Sequence, residues 1–169
     1  MVIILLAAFL ASAAFEPIGI WYLAIIGLTI YLRKLRNSSR PILHSFAFGF
    51  ILNAIVLYWS GKYVGAIPWL LLSGLQALFY LPVGLIHRRT HNLLWTSLTL
   101  LAMEELRARF PFGGFGWTRI AFSQVESPAL PIVAVGGVIA LSAFTLAVAL
   151  LLVQIGTKNI AGVIALFIF

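Results

Sequence analysis

Apolar runs dominate this chain so completely that they decide its solvent. They follow one another from Val2 to Phe169 with breaks of only a few residues, and most charges sit in or beside those breaks. A helix needs about 20 apolar residues to cross a hydrocarbon core ~30 Å thick. Hydrophobic residues make up 63% of the sequence and charged ones 9%, where soluble chains hold about 45–50% and ~25%. A water-soluble domain of this length cannot hide that much apolar surface. The pattern predicts an all-α fold, a polytopic integral membrane bundle that occupies residues 1–169 as one multi-spanning domain. Helices are expected near 2–15, 18–32, 42–60, 67–86, 92–110 and 128–153, six complete transmembrane helices, with a truncated seventh at 160–169. Ten residues at ~1.5 Å each cover about half the core, so the seventh reads as cut off within a span. Ala11-Ser12-Ala13 has the look of a signal-peptidase site, but no positive charge precedes the apolar run, and the segment reads as a retained first helix.

The net charge of +7 does not indicate nucleic acid, because the basic residues lie in short loops and not on one folded polar face. Arg33, Lys34, Arg36, Arg40, Arg88, Arg89 and Lys158 form one set without an acid. Lys62, Arg107, Arg109 and Arg119 share the other set with Glu16, Glu104, Glu105 and Glu126. Cytoplasmic loops carry the excess of Lys and Arg, so the first set and the N-terminus are expected in the cytoplasm and the second set outside. Trp21, Trp59, Trp69 and Trp117 then fall near the outer face, where an aromatic belt is expected.

With no cysteine, the sequence excludes disulfides, thiolate metal sites and a cysteine nucleophile within these residues. His87 and His91 have the i,i+4 spacing of a chelating pair, but no carboxylate or thiol on that side completes a metal site. Neither a cofactor nor a catalytic residue is expected. Asn53, Gln76 and Gln154 read as interhelical hydrogen-bond partners.

The polar exception is the stretch from Trp95 to Gln124. Glu104 with Arg107 and Glu105 with Arg109 have the i,i+3 and i,i+4 spacings that let pairs meet on one helix face. An ionisable group at that depth is costly and is either paired or functional. The loop from Phe110 to Arg119 carries three glycines, three phenylalanines and Trp117, too greasy for a free aqueous loop. Arg119 is of the type that binds phosphate. Trp117, Glu104, Arg107 and Arg119 are therefore the candidate substrate-binding residues.

At these residues the chain resembles the bacterial apolipoprotein N-acyltransferases. Their membrane part has a tryptophan-led helix ending in E-x-L-R, a G-F-P-W loop, an S-Q stretch, an acidic turn and a helix with G-G. Here these stand as Trp95, Glu104-Glu105-Leu106-Arg107, Gly114-Phe115-Gly116-Trp117, Ala121-Phe122-Ser123-Gln124, Glu126-Ser127-Pro128, Gly136-Gly137 and Ser142. Phe15-Glu16-Pro17-Ile18-Gly19-Ile20-Trp21 and the run from Gly49-Phe50 to Tyr58-Trp59 fit as well, so the resemblance covers nearly the whole chain in order. Gly116 departs from it, standing where the family has proline. The resemblance implies a multi-pass protein of the bacterial cytoplasmic membrane that works on phospholipid and a diacylglyceryl lipoprotein precursor. It also implies that the chemistry belongs to an outer nitrilase-like domain with a Glu-Lys-Cys triad. That domain would follow the seventh helix, so the sequence is expected to be the membrane part alone, inactive by itself. The alternative is a membrane anchor for a cytoplasmic glycosyltransferase, a polyprenol-phosphate mannose synthase, held through the basic loops.

Overall fold

The computed structural model describes residues 1–155, and the predicted seventh helix at 160–169 lies outside them. Among the described residues all regular structure is helical, as expected. The helices are α1 (Val2–Ser12), α2 (Tyr22–Arg36), α3 (Pro41–Val56), α4 (Tyr58–Val64), α5 (Ala66–Leu78), α6 (Leu81–Thr90), α7 (Leu93–Arg107) and α8 (Ile132–Ile155), with a 3₁₀ turn at Ile120–Gln124 before α8.

Helix lengths correct the expected count of six complete spans. Among the described residues, two helical segments are long and apolar enough to cross a membrane, Ala66–Thr90 and Ile132–Ile155. A third qualifies if α3 and α4, bent by 60°, are taken as one. The others fall short. At ~1.5 Å per residue the 11 residues of α1 reach about 16 Å and the 15 of α2 or α7 about 22 Å.

Local chemistry explains the shifted ends. The predicted helix at 18–32 instead starts at Tyr22, after a loop in which Gly19 takes φ +69°, and runs on to Arg36. Arg33, Lys34 and Arg36 favour that extension, since cations are stabilised at a helix C-terminus. The helix expected at 42–60 breaks at Leu57. That at 67–86 extends through Phe79 and Tyr80 into α6 and ends where His91 turns left-handed. Asn92 opens α7 by accepting hydrogen bonds from the Leu94 and Trp95 amides, worth about 1 kcal/mol. The helix expected at 128–153 begins only at Ile132, after Pro128 and Pro131, and is broken at Gly137.

α1 and α2 form a hairpin that packs on α3 and α8, while α3 also lies against α5 and α6, and α7 bridges α6 and α8. Ile4, Leu28, Tyr31, Leu32, Phe48, Val83, Leu100 and Leu146 fill the common core. Tyr31 stacks on Phe48 at 4.1 Å and donates to the Ser45 hydroxyl at 2.7 Å. Outward faces are apolar too: Val2, Leu71, Val135 and Leu151 are all more than half exposed, which suits lipid and not water.

Gly27 sets the α1–α2 distance. A Cβ there would lie 2.6 Å from the Ala11 amide nitrogen and 2.6 Å from the Ala7 carbonyl oxygen, the close backbone approach that small residues permit in membrane bundles. Gly27→Val is therefore expected to lower unfolding free energy by about 2–3 kcal/mol. Gly74→Ala, on α5 with nothing within 4 Å of its Cβ, should leave stability equal or higher by up to about 1 kcal/mol. Thermal unfolding in one detergent compares them.

Candidate functional site

The inward face of the last turns of α7 carries Glu104 and Arg107, 3% and 2% exposed. The expected i,i+3 pairing between them gives way to bonds with other elements. One Glu104 carboxylate oxygen accepts from the Ile120 amide at 3.1 Å, and the other accepts from the Ser142 hydroxyl on α8. Arg107 donates to the Gln76 side-chain oxygen on α5 at 3.2 Å and to both the hydroxyl and the carbonyl of Thr118. The Thr118 hydroxyl donates in turn to Asn53 of α3 at 2.7 Å, and the Asn53 amide donates to the Gly49 carbonyl at 2.7 Å. Ser142 also accepts from the Ala121 amide at 3.1 Å. One buried polar network thus ties α3, α5, α7 and α8 to the segment that follows α7. A full set of partners is what makes such burial tolerable in hydrocarbon.

Above this network the chain folds back over the end of α7. The Phe115 amide donates to the Arg107 carbonyl at 2.7 Å, and the Gly114 amide to the Pro111 carbonyl at 2.8 Å. Gly114 has φ +88°, and a Cβ on it would lie 2.2 Å from the Ala108 carbonyl carbon. Only glycine meets both demands. The turn presents Trp117, 62% exposed, with its ring 5.6 Å from that of Trp59. Tyr63, 83% exposed, extends this aromatic group through Trp59. A cavity of about 450 Å³ opens between Ala108, Gly116, Trp117, Arg119 and Phe122.

The four predicted substrate contacts therefore separate into two layers. Trp117 and Arg119 line the cavity, whereas Glu104 and Arg107 are buried and do not line it. Arg119 is also less free than its type suggests. It pairs with Glu105, which holds Arg109 at 3.2 Å as the i,i+4 spacing predicts, and its Nε is 3.9 Å from Glu104. A serine hydroxyl donating to a carboxylate, as Ser142 does to Glu104, can be an activated nucleophile. Ser142 is wholly buried, so here the pair is a fastening.

Thr118 and Ser142 are the network members that residue-type reasoning passed over. Neither is charged, and only the fold shows that they face Arg107 and Glu104. Gln76 is an interhelical partner, as expected, whereas Asn53 bonds the loop residue Thr118 and Gly49 of its own helix, and Gln154 lies exposed on α8. The Gln124 amide donates to the Trp21 carbonyl at 3.0 Å, which joins two motifs more than 100 residues apart. Trp69 sends its indole N–H to the Ala54 carbonyl at 2.9 Å, so it is an interhelical tie as well as part of a belt. His87 shares a hydrogen bond with Thr96 at 2.9 Å, and His91 caps α6.

Gly49, Glu104, Arg107, Ala121 and Ser142, dispersed among the residues that carry the resemblance, thus meet in one network, with Gly114 to Trp117 in the loop above it. The family model described as the apolipoprotein N-acyltransferase N-terminal domain matches residues 7–151 of the 169, a stretch that holds every one of them. This chain belongs to that family, and is a helical membrane protein of it.

Proposed function

We propose that this chain is the membrane half of a phospholipid-dependent N-acyltransferase of lipoprotein maturation. In this reading the Trp117 cavity meets phospholipid at the outer face and adjoins the surface that receives a nitrilase-like catalytic domain. Such a domain would take an acyl chain from phospholipid as a cysteine thioester and pass it to the α-amino group of a diacylglyceryl-cysteine precursor. The observation that supports it is an exposed aromatic cavity built on a fully partnered buried network. Rigid support of that kind positions a substrate, while the network itself holds no accessible nucleophile. Glu104 and Arg107 act through the loop as positioning residues, and Trp117 and Arg119 are the contacts. The reading further puts the protein in the bacterial cytoplasmic membrane, with the N-terminus and the Arg33–Arg40 and Arg88–Arg89 loops inside.

A polypeptide of these 169 residues supplies no thiolate. In phosphatidylethanolamine vesicles with a diacylglyceryl lipopeptide it should leave the lipopeptide un-acylated. Joined to the catalytic domain of an intact relative, it should support N-acylation followed by mass spectrometry. Trp117→Ala in that chimera should lower turnover by about tenfold or more without changing membrane insertion. Equal turnover in the two chimeras would contradict the assignment. Sidedness is checked separately: in whole cells an impermeant maleimide should label Phe112→Cys and spare Arg89→Cys.

A further inference from the structure

The opposite end of the bundle holds a second cavity, which the reading above does not use. It measures about 540 Å³ and lies between the first turn of α3 and the outward face of α6. Arg40 and Arg88 stand at its rim, and Pro41, Ile42, Phe46 and Leu81 give it apolar walls. Gly84 brings the two helices together, since a Cβ there would lie 2.5 Å from the Ile42 Cα and 2.7 Å from the Pro41 carbonyl oxygen. Arg88 is one turn beyond Gly84, which sets it beside the residue that precedes α3.

Arg40 and Arg88 are both exposed, and among the described residues neither is in an ion pair. Every ion pair among the described residues uses Glu104 or Glu105 at the far end. Arg33, Lys34, Arg36 and Arg89 crowd the same end, and the sequence has no acid between Glu16 and Glu104 to offset them. α3 adds the positive end of its dipole, because its first-turn amides have no partner within the helix. An anion is the missing complement. The walls select which kind: Ile42, Phe46 and Leu81 offer a soluble anion nothing, yet they match an acyl chain.

We propose that this cavity binds one anionic phospholipid, its phosphate between Arg40 and Arg88 and an acyl chain along Ile42, Phe46 and Leu81. Neutralising the two arginines removes two charge-assisted contacts, and each is worth about tenfold or more in affinity.

Native mass spectrometry of the full 169-residue protein, titrated with phosphatidylglycerol, tests this. The wild-type protein should retain one phosphatidylglycerol with at least about tenfold preference over phosphatidylcholine. The adduct should survive excess inorganic phosphate. Arg40→Gln combined with Arg88→Gln should abolish it, whereas Arg36→Gln, outside the cavity, should not. Leu81→Trp fills the cavity while leaving both arginines, and it too should remove the adduct. Equal retention of the two lipids by the wild-type protein overturns the proposal, whatever the variants do. So does displacement by phosphate, which would indicate a soluble-anion site. Retention in Leu81→Trp also overturns it, since only diffuse surface attraction would remain.

Discussion

Arg107→Ala should lower the free energy of unfolding by about 3–5 kcal/mol, the cost of removing one side of a buried, charged network. The guanidinium serves Gln76 and two oxygens of Thr118 at once, and with it gone Glu104 loses the counter-charge on its own helix. A neutral interhelical bond is worth far less, on average ~0.6 kcal/mol and at most about 1.7 kcal/mol in membrane bundles, because unfolded helices in lipid find other partners. Asn53→Ala, which deletes the neutral acceptor of the Thr118 hydroxyl, should thus cost about 1 kcal/mol. Arg107→Lys should fall between them, since an ammonium keeps the charge but cannot reach Gln76 and Thr118 with one planar fork. Thermal unfolding of the three variants in one detergent gives the order. Equal losses for Arg107→Ala and Asn53→Ala would show that the charge is not what fastens the loop.

Gly114→Val should displace the loop that carries Trp117. Two costs act together there: a left-handed backbone, and a Cβ placed 2.2 Å from the Ala108 carbonyl carbon. Gly113 separates them, for it has φ +89° with nothing within 4 Å of its Cβ. Gly113→Ala should therefore cost only the backbone preference, about 1–2 kcal/mol, and leave the contact between Trp59 and Trp117 intact. Gly114→Val should lose that contact, seen as a change in tryptophan emission and near-ultraviolet circular dichroism. Its stability loss should exceed that of Gly113→Ala by about 1–3 kcal/mol.

Some of this was legible in the sequence and some was not, for physical reasons that differ by residue. Apolar run length and composition mark a helical membrane protein because the bilayer imposes both. Counting spans from runs failed, because an apolar run says nothing of where Leu57 bends the chain, or of where α1, α2 and α7 end. Glu104 and Arg107 were conspicuous as charges in hydrocarbon, but i,i+3 spacing only permits a pair. Tertiary neighbours decide whether it forms, and Ser142 and Thr118 outcompete it here. Trp117 was conspicuous too, and its exposure beside Trp59 follows from the turn that Gly114 permits. The Arg40–Arg88 cavity was unreadable as a site, since residues 48 apart meet there only through the α3–α6 packing at Gly84.

In the proposed function the buried network holds Trp117 at lipid level. The absence of cysteine permits a direct measurement: Trp117→Cys in the 169-residue protein, carrying a nitroxide label, in phospholipid vesicles. Electron paramagnetic resonance then compares the label's collisions with oxygen, which concentrates in lipid, and with a nickel chelate, which stays in water. Oxygen collisions should dominate in the native background, and Arg107→Ala should shift the label toward the chelate. Dominant chelate collisions in the native background would contradict it.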